Sequence, residues 1–190
     1  TQLKEVQDRL VEIAGDATRI MEQASEAFVT SNVTLADQAL ASADAIHEKA
    51  LSLDESVIRI LAKQSPVSRD LRILVSALRI SASLERMGAL AGHIAQIARF
   101  RYPGSAIPAT LLPTFQEMGK LDRELGKKVV QLLQNTDVDL AKEIQAEDER
   151  VDELHRKVFD VVLGDDWKEN AMYTVDVTLA SRYHERFADH

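Results

Sequence analysis

The chain has 190 residues, no cysteine, 23 Lys+Arg against 31 Asp+Glu, and a formal charge of −8. The acidic excess is local: residues 1–135 carry 16 basic and 16 acidic side chains, whereas residues 136–190 carry 7 and 15. That balance argues against nucleic acid as a partner, since phosphate backbones are bound by clustered Lys and Arg; the missing cysteines exclude disulfides, thiolate zinc sites and a thiol nucleophile. Apolar residues make up 45% of the chain but aromatics only 5%, with 7 glycines, so an all-helical fold with an aliphatic core is expected. The longest uncharged stretch, Tyr102 to Gln116, holds three of the four prolines and cannot span a bilayer, and nothing reads as a signal peptide.

A first helix is predicted over 2–31, where Leu3, Val6, Leu10, Ile13, Ala17, Ile20 and Ala24 recur at alternating spacings of three and four. Such a seam belongs to a helix packed side by side with others in a bundle. Thr30-Ser31-Asn32 offers N-cap side chains for a second helix over 34–63. Gln64-Ser65-Pro66 closes that helix and opens a third over 66–101, proline being suited to the first helical position. The seam of the third is expected at Leu71, Leu74, Leu78, Ala82, Glu85 and Ala89. Residues 102–112, rich in proline, read as a linker.

A fourth helix follows over 113–134, with Phe115, Met118, Leu125, Val129 and Leu132 in its seam. Asn135-Thr136-Asp137 caps a fifth over 137–163, through Leu140, Ile144, Val151, Leu154, Val158 and Val161. The sixth, 168–190, puts Ala171, Val175, Thr178, Arg182, Glu185 and Asp189 on one stripe and is expected to end short, inside an element.

The two sides of the linker resemble each other. Asn32-Val33-Thr34-Leu35-Ala36 matches Asp137-Val138-Asp139-Leu140-Ala141 at an offset of 105, and Leu84-Glu85-Arg86 matches His184-Glu185-Arg186 at an offset of 100. The expected fold is therefore all-α: two tandem antiparallel three-helix bundles, residues 1–101 and 113–190, related by internal duplication, with the last helix truncated.

The third helix of each unit carries a carboxylate on its core-facing stripe, Glu85 in the first copy and both Glu185 and Asp189 in the second. The fifth helix adds Glu147, Asp148 and Asp152; the last two are four apart and beside the apolar seam. Four carboxylates converging from two helices cannot all stay ionised alone, because like charges raise each other's pKa and desolvation is costly. Protonation, pairing with Arg182 or Arg186, or metal ions could each resolve the conflict, and an oxygen-only set suits hard cations. Plain solvation of an acidic helix face is the competing reading. A di-iron bundle enzyme would need Glu-x-x-His on two helices; the nearest patterns, Asp44–His47 and Asp152–His155, are not equivalent under the repeat. No Gly-rich phosphate loop, Ser–His–Asp arrangement or HExxH occurs, so the chain reads as a non-enzyme. Residues 66–101 carry six arginines against Asp70 and Glu85, an electropositive helix suited to an acidic partner, to a phospholipid surface or simply to a solvated face.

Four segments together resemble the PhoU family of phosphate-uptake regulators, in its actinobacterial form. They are Pro66-Val67-Ser68-Arg69-Asp70-Leu71-Arg72, Leu84-Glu85-Arg86-Met87-Gly88, Glu147-Asp148-Glu149-Arg150-Val151-Asp152, and Arg182-Tyr183-His184-Glu185-Arg186-Phe187-Ala188-Asp189-His190. The resemblance covers nearly the whole chain. It implies a cytoplasmic negative regulator of the phosphate-starvation response, peripheral at the inner face of the plasma membrane through its partners. Those partners would be the ATPase subunit of the phosphate ABC transporter and a sensor histidine kinase, with a homodimer expected. It also implies metal ions (Fe, Zn, Mn or Mg) on Glu/Asp-x-x-x-Asp motifs. Carried over by residue, Asp148, Asp152, Glu185 and Asp189 form a complete set in the second bundle. The first bundle departs from the pattern: Glu85 is kept, but Ala89 replaces the aspartate, and Ala43 and His47 stand opposite Asp148 and Asp152. For His47 and Glu85 two roles are open, weak binding of one metal or an interhelical hydrogen bond. Arg69, Arg72 and Arg79 are the candidate partner-binding residues. The rival functions are a metal-dependent carboxylate-bundle enzyme, an oxidase or phosphohydrolase, and a metal-free helical scaffold.

Overall fold

In the computed structural model the described residues are 2–64, 68–101, 109–134, 138–163 and 178–180, and among them every regular element is helical. The long helices are α1 (Gln2–Thr30), α2 (Val33–Gln64), α3 (Ser68–Arg101), α4 (Leu112–Gln134) and α5 (Val138–Leu163). A single 3-10 turn, Ala109–Leu111, occupies the end of the predicted linker and runs into α4. The capping segments expected at 65–67 and 135–137 lie outside the described residues, as does most of the predicted sixth helix.

The junction between α1 and α2 explains itself residue by residue. Ser31 takes a left-handed φ of 56° just past the end of α1, and the Asn32 N–H donates back to the Ala27 carbonyl at 3.2 Å. This six-to-one bond across a left-handed residue is a Schellman closure. Asn32 then starts the next helix: its side-chain oxygen accepts from the Leu35 N–H at 3.2 Å, satisfying one of the donors that a helix start leaves open.

α1 sits at the centre, packed against α2, α3 and α4, while α2 packs on α3 and α4 on α5. Its predicted seam is buried from Val6 through Ala24, and the burial extends to Ala27 and Phe28. Phe28 meets Phe115 of α4 with ring centroids 5.2 Å apart and tilted by 56°. A small residue sets the spacing at the other end of this contact: a Cβ placed on Gly126 would lie 2.3 Å from Thr18 Oγ1. The duplication read from sequence is matched by burial. Ile13 and Met118, Ile20 and Leu125, Ile46 and Val151, and Leu53 and Val158 are all core residues separated by 105 positions.

α3 departs from its expected seam. Leu71 is exposed, as are Ala82 and Ala89, and Leu78 is only half-buried. The core side is instead Leu74, Ala77, Ser81, Leu84, Ala91, Ala95 and Ala98. Both stripes keep the three–four spacing, so periodicity alone does not separate them. α3 must face α1 and α2 together, and its small residues permit the close approach: a Cβ on Gly88 would lie 2.9 Å from Ile46 Cδ1.

Candidate functional site

The first-bundle candidates meet directly. His47 on α2 and Glu85 on α3 lie in the antiparallel hairpin just where Gly88, one turn on from Glu85, lets the helices close. His47 Nδ1 is 2.5 Å from Glu85 Oε1, and the two side chains are 63% and 36% exposed. The hydrogen bond with Glu85 raises the His47 pKa above its ordinary 6.5, helped by the charges of Glu85, Glu48 and Asp44 and opposed by partial desolvation. In its protonated form the imidazolium donates a charge-assisted hydrogen bond to the carboxylate.

In the second bundle, Asp148 and Asp152 are half-buried on α5, one turn apart. Asp152 accepts from Arg156 at 2.6 Å, an i,i+4 pair. Glu185 and Asp189, the other half of the candidate set, lie outside the described residues. Among the described residues no three His, Asp or Glu side chains are gathered as a metal ion would require. A neighbouring carboxylate on α5, Glu147, has a side chain only 14% exposed and pairs with Lys128 of α4. Glu147 Oε2 has no hydrogen-bond partner. The pairing with Glu147 raises the Lys128 pKa.

The arginine helix presents Arg72 and Arg79 to solvent; Arg69 belongs to α3, with its side chain outside the described atoms. Sequence reading missed the apolar residues around them. Leu71, Ile73 and Val75 of α3 and Ile58 of α2 are exposed toward the same end of the hairpin. The signal was the second apolar stripe of α3: its apolar residues are too widely spread around the helix for all of them to face α1 and α2, so some are left outside. Among the described residues no helix is long and apolar enough to cross a membrane.

Comparison with known proteins adds a further layer. The PhoU domain pattern matches residues 10–98 and 115–190. The chain is 41% identical over 189 residues to the phosphate-specific transport system accessory protein PhoU homolog 2 of Mycobacterium tuberculosis, covering 100% of this chain and 89% of that protein. It is 39% identical to PhoU homolog 1 of Mycobacterium leprae, covering 100% and 85%. Among solved structures, PhoU from Pseudomonas aeruginosa superposes with a TM-score of 0.88 at 24% identity, covering 100% of this chain and 91% of that one. PhoU from Streptococcus pneumoniae gives 0.85 at 20% identity, covering 98% and 88%. The two structures share the all-helical fold.

Proposed function

We propose, from the premise that this chain belongs to the PhoU family, that it is a non-enzymatic cytoplasmic regulator of phosphate uptake. It would hold the phosphate-starvation response off by linking the ATPase subunit of a phosphate transporter to a sensor histidine kinase. The observation that carries this reading is the similarity, over the whole of this chain, to mycobacterial proteins named as accessories of the phosphate-specific transport system. The exposed end of the α2–α3 hairpin supports it, because Leu71, Ile73, Val75 and Ile58 lie among Arg72 and Arg79. Exposed apolar side chains beside Arg72 and Arg79 suit a docked partner whose acidic groups the arginines would steer.

The same reading gives the second bundle a metal. Asp148 and Asp152 would hold it with Glu185 and Asp189. The described half fits a hard cation, since it offers oxygen donors one turn apart and half-buried. A bound cation would neutralise the carboxylates and tie the fifth helix to the sixth. His47 and Glu85 already satisfy each other, which favours the hydrogen-bonded role in the first bundle. The chain is expected to form homodimers and to reach the membrane only through its partners.

The test is affinity capture from a phosphate-replete membrane extract, using the full chain and an Arg72→Ala/Arg79→Ala variant. Recovery of an ABC ATPase subunit and a histidine kinase by the native chain, reduced in the variant and at high salt, is expected. Recovery of neither protein overturns the relay.

A further inference from the structure

A groove of about 240 Å³ runs between the first turns of α1 and the last turns of α2, lined by neither the candidate metal carboxylates nor the α3 arginines. Its walls carry Glu5 and Arg9 from α1 and Ser56, Arg59 and Lys63 from α2. The helices are antiparallel, and spacings of three and four on each bring these side chains onto the facing edges.

Arg9 is the centre of the arrangement. Its two terminal nitrogens donate to Ser56 Oγ and Ser52 Oγ, each at 2.7 Å. A guanidinium has five N–H donors in a fixed plane, so two neutral hydroxyls hold it in place and leave three donors unused. Among the described residues no carboxylate comes within ion-pair distance of Arg9, Arg59 or Lys63. Glu5, one turn before Arg9, also makes no pair with it. The contrast with the next turns of the same groove is sharp: there Lys49 is neutralised twice, by Asp16 at 2.5 Å and Glu12 at 3.0 Å. One end of the α1–α2 groove is thus internally compensated, while the other holds three cations against one carboxylate.

A half-buried, pre-oriented arginine flanked by two further cations and two hydroxyls matches a multiply charged tetrahedral oxyanion. Arginine binds phosphate oxygens bidentately, and lysine adds a point charge. We propose that this groove is a binding site for a phosphate group, with Arg9 as the forked donor and Arg59 and Lys63 as the closing cations. The site goes beyond the regulatory role and depends on neither a metal nor a protein partner.

The phosphate could be free in solution or carried on a lipid headgroup, and two arms separate these sources. In the first, the full chain is titrated calorimetrically with inorganic phosphate and with pyrophosphate at constant ionic strength. In the second, it is co-sedimented with vesicles of phosphatidylglycerol or of phosphatidylcholine alone, with and without pyrophosphate. Saturable binding is expected, weakened about tenfold or more by Arg9→Gln and by Arg59→Ala/Lys63→Ala, and unchanged by Lys157→Ala on α5. The double variant alters only exposed side chains, so it decides the matter even if Arg9→Gln folds poorly. Pyrophosphate binding assigns a free ligand; binding to phosphatidylglycerol vesicles alone assigns the headgroup. Absence of binding in both arms, or binding undiminished in the double variant, overturns the site.

Discussion

His47 on α2 and Glu85 on α3 share a 2.5 Å hydrogen bond at positions where the second bundle is expected to place carboxylates alone. The pair raises the His47 pKa above 6.5, chiefly through the hydrogen bond itself. The folded protein therefore binds this proton more tightly than the unfolded chain, and the stabilisation is complete below the unfolded value. It is lost as pH rises through the higher folded value. In chelator-treated buffer the native chain should melt above His47→Gln at about pH 6, with the gap closing by about pH 8.5. A gap that is the same at both pH values would show that the imidazole contributes packing only.

Two glycines in helix interiors should respond to alanine in opposite directions. Gly15 has no neighbour within 4 Å of an added Cβ, so Gly15→Ala should stabilise by about 1 kcal/mol through helix propensity. At Gly126 the new Cβ would meet Thr18 Oγ1 at 2.3 Å and Thr18 Cγ2 at 2.9 Å. The hydroxyl is itself held by a 2.8 Å bond to the Ala14 carbonyl, so it cannot simply turn away. Gly126→Ala should destabilise by roughly 1–3 kcal/mol, partly relieved by Thr18→Ala. Urea melts of the three variants check both signs.

Lys128 is the sole ion-pair partner of Glu147 among the described residues, and Glu147 is largely buried. Lys128→Met should cost about 1–3 kcal/mol, because it strands a buried carboxylate. Adding Glu147→Gln removes the stranded charge and should recover part of the loss. A double variant no more stable than Lys128→Met in denaturant melts would place the cost in packing rather than charge.

The proposed metal set makes an asymmetric prediction. Metal analysis of purified protein should find bound metal lost in Asp148→Asn and Asp152→Asn but kept in Glu85→Gln. The reverse pattern would move the site to the first bundle. Chelation should lower the melting temperature of the native chain and leave that of Asp148→Asn unchanged, since a ligand stabilises only the state that binds it.

The extents of the first five helices were legible from the sequence because apolar spacing and capping chemistry are local. Asn32 caps α2 as its residue type predicts, while Ser31 in the left-handed region was not foreseen, since a serine there is selected by closure of the chain and not by its own preference. The α3 seam was misplaced by a fraction of a turn. Leu74 is buried as expected, but Leu71 and Leu78 continue it into one stripe and Ala77 and Ser81 into another, and only contact with two helices at once selects the second. The pairing of His47 with Glu85 was one of two readings, because a histidine and a carboxylate serve a metal or each other equally well until their distance is known.

The sequence by itself determined the all-helical class, the duplication at an offset of 105 and the family, because each depends on residue type along one chain. The tertiary structure decided which charges meet. Lys49 takes two carboxylates, and Arg9, on the adjoining turns of the same α1–α2 interface, takes two serine hydroxyls. The reason is physical: neighbouring residues along a helix differ by about 1.5 Å of rise and 100° of rotation. Small differences in how two helices slide and turn against each other change every partner across the interface, yet leave the apolar pattern of each helix intact.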